Sequence, residues 1–143
     1  MALKSALFGD GFFQRFPEPG RELWPMHSSM LEFFRLTCGA LEQDREPANL
    51  DSSLEHLRAN LEAAYARYEA PAPEGAESIR EAMLESIDLY CSALDCIEQF
   101  LESDNKKLLT HAVRCAEEAT DLLEQVEYII EQSQQWISQF SSA

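Results

Sequence analysis

From Ile79 to Leu101 the chain reads IREAMLESIDLYCSALDCIEQFL. Ile79, Met83, Ile87, Tyr90, Leu94, Ile97 and Leu101 recur by threes and fours, the interval that returns a side chain to the same helix face. Ala82, Leu89, Ala93, Cys96 and Phe100 form a second row on an adjoining face. At about 100° per residue the two rows span roughly half the circumference, leaving Glu81, Glu85, Asp88, Asp95 and Glu102 outside. A helix that is apolar over half its girth needs more than one neighbour to cover it, so this stretch predicts a helical bundle with its most buried member running from Gly75 to Ser103.

Upstream, Pro71 and Pro73 force a break, because proline cannot extend the hydrogen-bond ladder and restricts the residue before it. The preceding segment, Leu50 to Ala70, predicts a helix with Leu54, Leu57, Leu61, Ala64, Tyr65 and Tyr68 inward and Asp51 as a cap or first-turn acid. An earlier helix is expected from His27 to Asp44, with Met30, Phe33, Phe34, Cys38 and Leu41 inward, Ser28 or Ser29 as its cap and Pro47 beyond its end. Gly39 lies inside it at a cost of about 1 kcal/mol relative to Ala, and reads equally as a point of close helix approach or a tolerated glycine.

Downstream, Asn105 to Phe140 predicts a long last helix capped by Asp104 or Asn105. Its inward residues are Ala112, Cys115, Ala119, Leu122, Leu123, Val126, Ile129, Ile130, Trp136, Ile137 and Phe140. Residues 1–25 mix Phe8, Phe12, Phe13, Phe16 and Trp24 with glycines and prolines, a composition that does not sustain a helix. Short connections favour antiparallel neighbours. The expected fold is therefore all-α: an up-and-down antiparallel four-helix bundle over residues 26–143, with an irregular aromatic-rich N-terminal arm over residues 1–25. At about 1.5 Å per residue the last helix reaches roughly 50 Å and the second roughly 30 Å, so the long hairpin should overhang the short one.

At 143 residues, 45% apolar and 26% charged, the chain can bury a core without disulfides or metal. The four cysteines fall inside helical patterns, and the opening run before Gly9 and Asp10 is too short for a signal core, so free thiols in a reducing cytoplasm are expected. No window has the length of apolar sequence that a membrane span needs. The net charge is -15, and after Arg114 there is no Lys or Arg while Glu117, Glu118, Asp121, Glu124, Glu127 and Glu131 follow. Such a surface repels phosphates and anionic lipid heads, so neither nucleic acid nor membrane is expected as a partner.

Few residues suggest chemistry. Cys96, His111 and Cys115 are weak metal candidates, His111 and Cys115 being one turn apart and read as inward. Structural zinc usually takes four ligands at tight spacing, which is missing, so no metal or cofactor is expected. As a nucleophile and base the trio lacks the positive surroundings a thiolate wants, so no catalytic residue and no enzyme are expected.

Apolar side chains near the helix ends point instead to a noncatalytic protein-interaction module, an adaptor, chaperone-like protein or assembly subunit. Its contact residues would be Phe12, Phe13, Phe16, Trp24, Phe100, Trp136, Ile137 and Phe140. The arm can pack on its own bundle or leave that surface to a protein partner, homodimerisation included. Two alternatives are an acidic inhibitor or immunity-type protein that neutralises a basic target, and a bundle built around a metal or thiol site.

Overall fold

The proline break at 71–73 and the polar turns around residues 45 and 104 divide the described residues into four helices: α1 (His27–Glu42), α2 (Leu50–Tyr68), α3 (Glu77–Ser103) and α4 (Lys107–Ser141). The computed structural model describes the backbone over residues 27–71 and 75–141 and the side chains over residues 29–71 and 75–132. The arm over residues 1–25 lies outside the described residues.

The helix ends carry their own chemistry. Asp44, Asn49 and Asp104 take left-handed backbone angles with φ near 60°, a region that Asn and Asp enter more readily than other side chains. Asp104 donates its N–H to the Phe100 carbonyl at 2.8 Å and closes α3. Asn105 then caps α4, its Oδ1 accepting the Lys107 N–H at 3.1 Å. At α1 the expectation fails: the helix already includes His27, so Ser28 and Ser29 fall within its first turn and do not precede it.

α3 and α4 form the main hairpin, α1 packs on α4, and α2 packs on α3. Side chains tie the short helices to this hairpin. Lys106, in the α3–α4 turn, donates to the Glu42 carbonyl at 2.7 Å. Arg80 donates to the carbonyls of Glu69 and Ala70 at 2.9 and 3.0 Å, satisfying groups that the end of α2 leaves open. Arg58 reaches Asp95 at 2.6 Å and Glu98 at 3.2 Å, holding α2 to α3 midway.

Tyr90 lies at the centre of the core. Its ring, fully buried, stacks on Phe34 of α1 with centroids 6.1 Å apart and an interplanar angle of 9°. Its hydroxyl lies 2.8 Å from Thr120 Oγ1 on α4. Thr120 has one hydroxyl proton and gives it to the Ala116 carbonyl at 2.8 Å, so Tyr90 donates and Thr120 accepts. Among the described residues no buried side-chain nitrogen or oxygen lacks a partner.

The Tyr90–Thr120 contact also sets the register of the hairpin. Counting away from it in the two opposite directions brings Glu77 level with Ser133, so α4 continues about 12 Å past the start of α3. The backbone thus has the overhang expected from the helix lengths. Arg35 of α1 approaches Glu117 of α4 at 3.9 Å, which brings the start of α1 level with about Gln125.

Two residues assigned inward are on the surface: Ile129 is 47% exposed and Leu101 lies at the exposed end of α3. Ile129 follows His111 by five whole turns and shares its direction, far round from the row of Ala112, Ala119 and Leu123 that faces the core. Among the described residues no helix is long and apolar enough to cross a membrane.

The donor assignment predicts unequal costs. Tyr90→Phe removes a donor whose acceptor keeps its own bond to Ala116, and should cost about 1 kcal/mol, whereas Thr120→Val strands a buried phenol and should cost about 1–3 kcal/mol. Urea unfolding of the two single variants and the double variant checks this, with the double expected to cost less than the sum.

Candidate functional site

Three places were candidates: the cysteine layer, the groove between α1 and α4, and the free end of α4. The cysteines are free, with Cys38, Cys96 and Cys115 buried and Cys91 half-buried. Cys38 of α1, Cys96 of α3 and Cys115 of α4 come to one level of the core, since the registers fixed by Arg35–Glu117 and Tyr90–Thr120 bring both Cys38 and Cys96 level with Arg114.

Burial pushes the Cys38 thiol up to about 12, with Cys96 and Glu42 adding to the rise. Burial likewise raises Cys91, which Arg58 partly opposes. Cys96 is raised by burial and then by Cys115 and Asp95, and Cys115 by burial and then Glu118. All four are held as thiols, the opposite of what a nucleophile needs.

His111 corrects the sequence reading. It is exposed, while Cys115 is buried, and their contact, Nε2 to Sγ, is 3.7 Å. The two do share a flank of α4, but the histidine stands at its outer edge. No group of three or more His, Cys, Asp or Glu among the described residues is arranged to hold a metal ion.

The groove runs between facing stripes of α1 and α4 and has a volume of about 440 Å³. Cys38, Gly39, Leu109 and Val113 form its apolar floor; Arg35, Glu42, Thr110, Arg114 and Glu117 form its polar rim. Of this set the sequence reading named Cys38 as inward, Arg114 and Glu117 in the charge pattern, and Gly39 as a point of close helix approach or a tolerated glycine. The only available signal for the rest was the pair Arg35 and Glu42, charged residues two turns apart on one side of an amphipathic helix.

At the free end of α4, Tyr128 is 62% exposed beside Ile129. Of the expected contact residues, Phe100 is buried in the core. The positions of Trp136, Ile137 and Phe140 lie on α4 above Tyr128, but their side chains lie outside the described residues. Phe12, Phe13, Phe16 and Trp24 also lie outside the described residues.

Compared with protein-family models, curated proteins and solved structures, the chain matches none.

The raised thiols predict slow chemistry. At about pH 8 the native protein should react with a disulfide reagent roughly tenfold or more slowly than a free thiol, Cys91 first, while all four thiols react at once in denaturant. Stability should fall in alkali. The Cys38 thiol ionises near 9 when unfolded and near 12 when folded, and Tyr90 near 10 and near 12. Above pH 9 the unfolded chain therefore releases protons that the folded chain retains, and unfolding becomes easier up to about pH 12. Denaturant midpoints measured from pH 7 upward check the sign.

Proposed function

We propose that this chain is a noncatalytic protein-interaction module that engages a partner protein through apolar side chains at the free end of α4. The observation that carries the reading is the exposure of Tyr128 and Ile129 just below the overhang that bears positions 136, 137 and 140. Each large apolar side chain buried against a partner contributes about 1.5–3 kcal/mol, so four or five of them are enough for a specific contact. The reading assigns the chain no catalytic residue, cofactor or metal, and places it in the cytoplasm.

The architecture behind the reading is an up-and-down antiparallel four-helix bundle. It is supported by Arg80, which joins the end of α2 to the start of α3, and by Lys106, which joins the end of α1 to the turn before α4.

Acidic neutralisation of a basic target is the second reading, supported by the exposed Glu117, Glu118, Asp121 and Glu124 along α4. Charge contacts weaken with salt, whereas apolar contacts do not.

The test is affinity capture from native lysate at low and high salt, comparing wild type with Tyr128→Ala/Ile129→Ser and with Trp136→Ala/Phe140→Ala. Retention of a stoichiometric partner at high salt and roughly tenfold weaker capture by either pair is the expected result. Capture that is lost with salt and indifferent to both pairs would replace this reading with the acidic one.

A further inference from the structure

The α1–α4 groove contains a glycine that nothing among the described residues requires. Gly39 sits within α1, its backbone is not left-handed, and a β-carbon built on it meets nothing within 4 Å. Alanine there would be easier on the helix by about 1 kcal/mol and would clash with nothing among the described residues. The space left by glycine opens into the groove, whose floor it helps form. One turn earlier Leu36 stands 67% exposed.

The rim charges are arranged in a particular way. Arg35 and Glu42 lie two turns apart on one stripe of α1, on either side of Gly39. Arg35 comes no nearer than 3.9 Å to Glu117, outside hydrogen-bonding distance, so its donors remain open among the described residues. The Glu42 carboxylate and the Arg114 guanidinium have no ion-pair partner among the described residues.

We propose that this groove is a self-association surface, in which a second copy of the chain lays its α1 antiparallel across it about a two-fold axis beside Gly39. A two-fold contact is isologous, so residues equally far on either side of the axis meet. Arg35 of each copy then faces Glu42 of the other, twice, and Gly39 lets the two backbones approach closely. Leu36 is covered at the same time.

Charge selects this occupant over a parallel one, which would bring Arg35 against Arg35. It also favours this face over the acidic face of α4. Each copy carries a net charge of -15, so acidic faces repel a like molecule, whereas the groove rim presents both signs. The remaining long-range repulsion is screened beyond about 8 Å at physiological ionic strength. The inference goes beyond the interaction reading above, since it uses a different surface.

The test is sedimentation of the full chain over a concentration series, for wild type, Gly39→Ala, Arg35→Glu, Glu42→Arg and the double Arg35→Glu/Glu42→Arg. Wild type should dimerise. Each single charge reversal sets like charges against each other at two places and should weaken the dimer roughly tenfold or more, and the double reversal should restore it. Gly39→Ala should raise the melting temperature while weakening the dimer, a combination that damage to the fold does not produce.

A wild type that stays monomeric to about 100 μM would overturn the proposal. So would a dimer indifferent to these variants, or a double reversal that stays as weak as the singles. A dimer lost only in Tyr128→Ala/Ile129→Ser would move self-association to the free end of α4, leaving the partner reading standing and this one refuted.

Discussion

The buried hydroxyl of Tyr90 is the constraint on which the arrangement depends. A phenol in an apolar core needs an acceptor, and the one in reach is Thr120, whose own proton is already committed to the Ala116 carbonyl. Apolar packing alone would tolerate α4 sliding along α3 by a turn; the hydrogen bond does not. The same ring stacks on Phe34, so one residue aligns α1, α3 and α4.

Everything exposed follows from that alignment. With α3 and α4 registered by their turn and by Tyr90, the difference in their lengths appears wholly at the other end, where α4 runs on past the start of α3. α1 leans on α4 and α2 on α3, each pinned at a terminus by a cation that also satisfies helix-end carbonyls. The groove beside α1 lies between α1 and α4 above their shared apolar floor. A chain with few cations uses Arg58, Arg80 and Lys106 to hold helices together, whereas Arg35 and Arg114 stand at the groove rim.

Much of this was legible in residue spacing, and the exceptions are instructive. The rows through Met83, Tyr90 and Ile97 and through Phe34 and Leu41 are buried as periodicity requires. His111 and Ile129 were misplaced because each neighbours a buried residue in sequence, while direction round the helix, which turns by about 100° per residue, decides burial. The groove escaped notice because it is made of two stripes from helices far apart in sequence, and neither stripe is unusual by itself. Gly39 alone hinted at it, and a glycine in a helix has more than one reading.

Spacing, proline placement and the Asp and Asn residues at helix ends therefore determined that the chain is helical, where its helices start and stop within about two residues, and which face of each turns inward. These are local properties, set by repeat and by the backbone preferences of single residues. Which helices touch, at what height, and what is left uncovered were decided only in the tertiary structure. Pairing depends on groups dozens of residues apart, such as Tyr90 with Thr120 and Arg58 with Asp95, satisfying each other once they are buried or brought close.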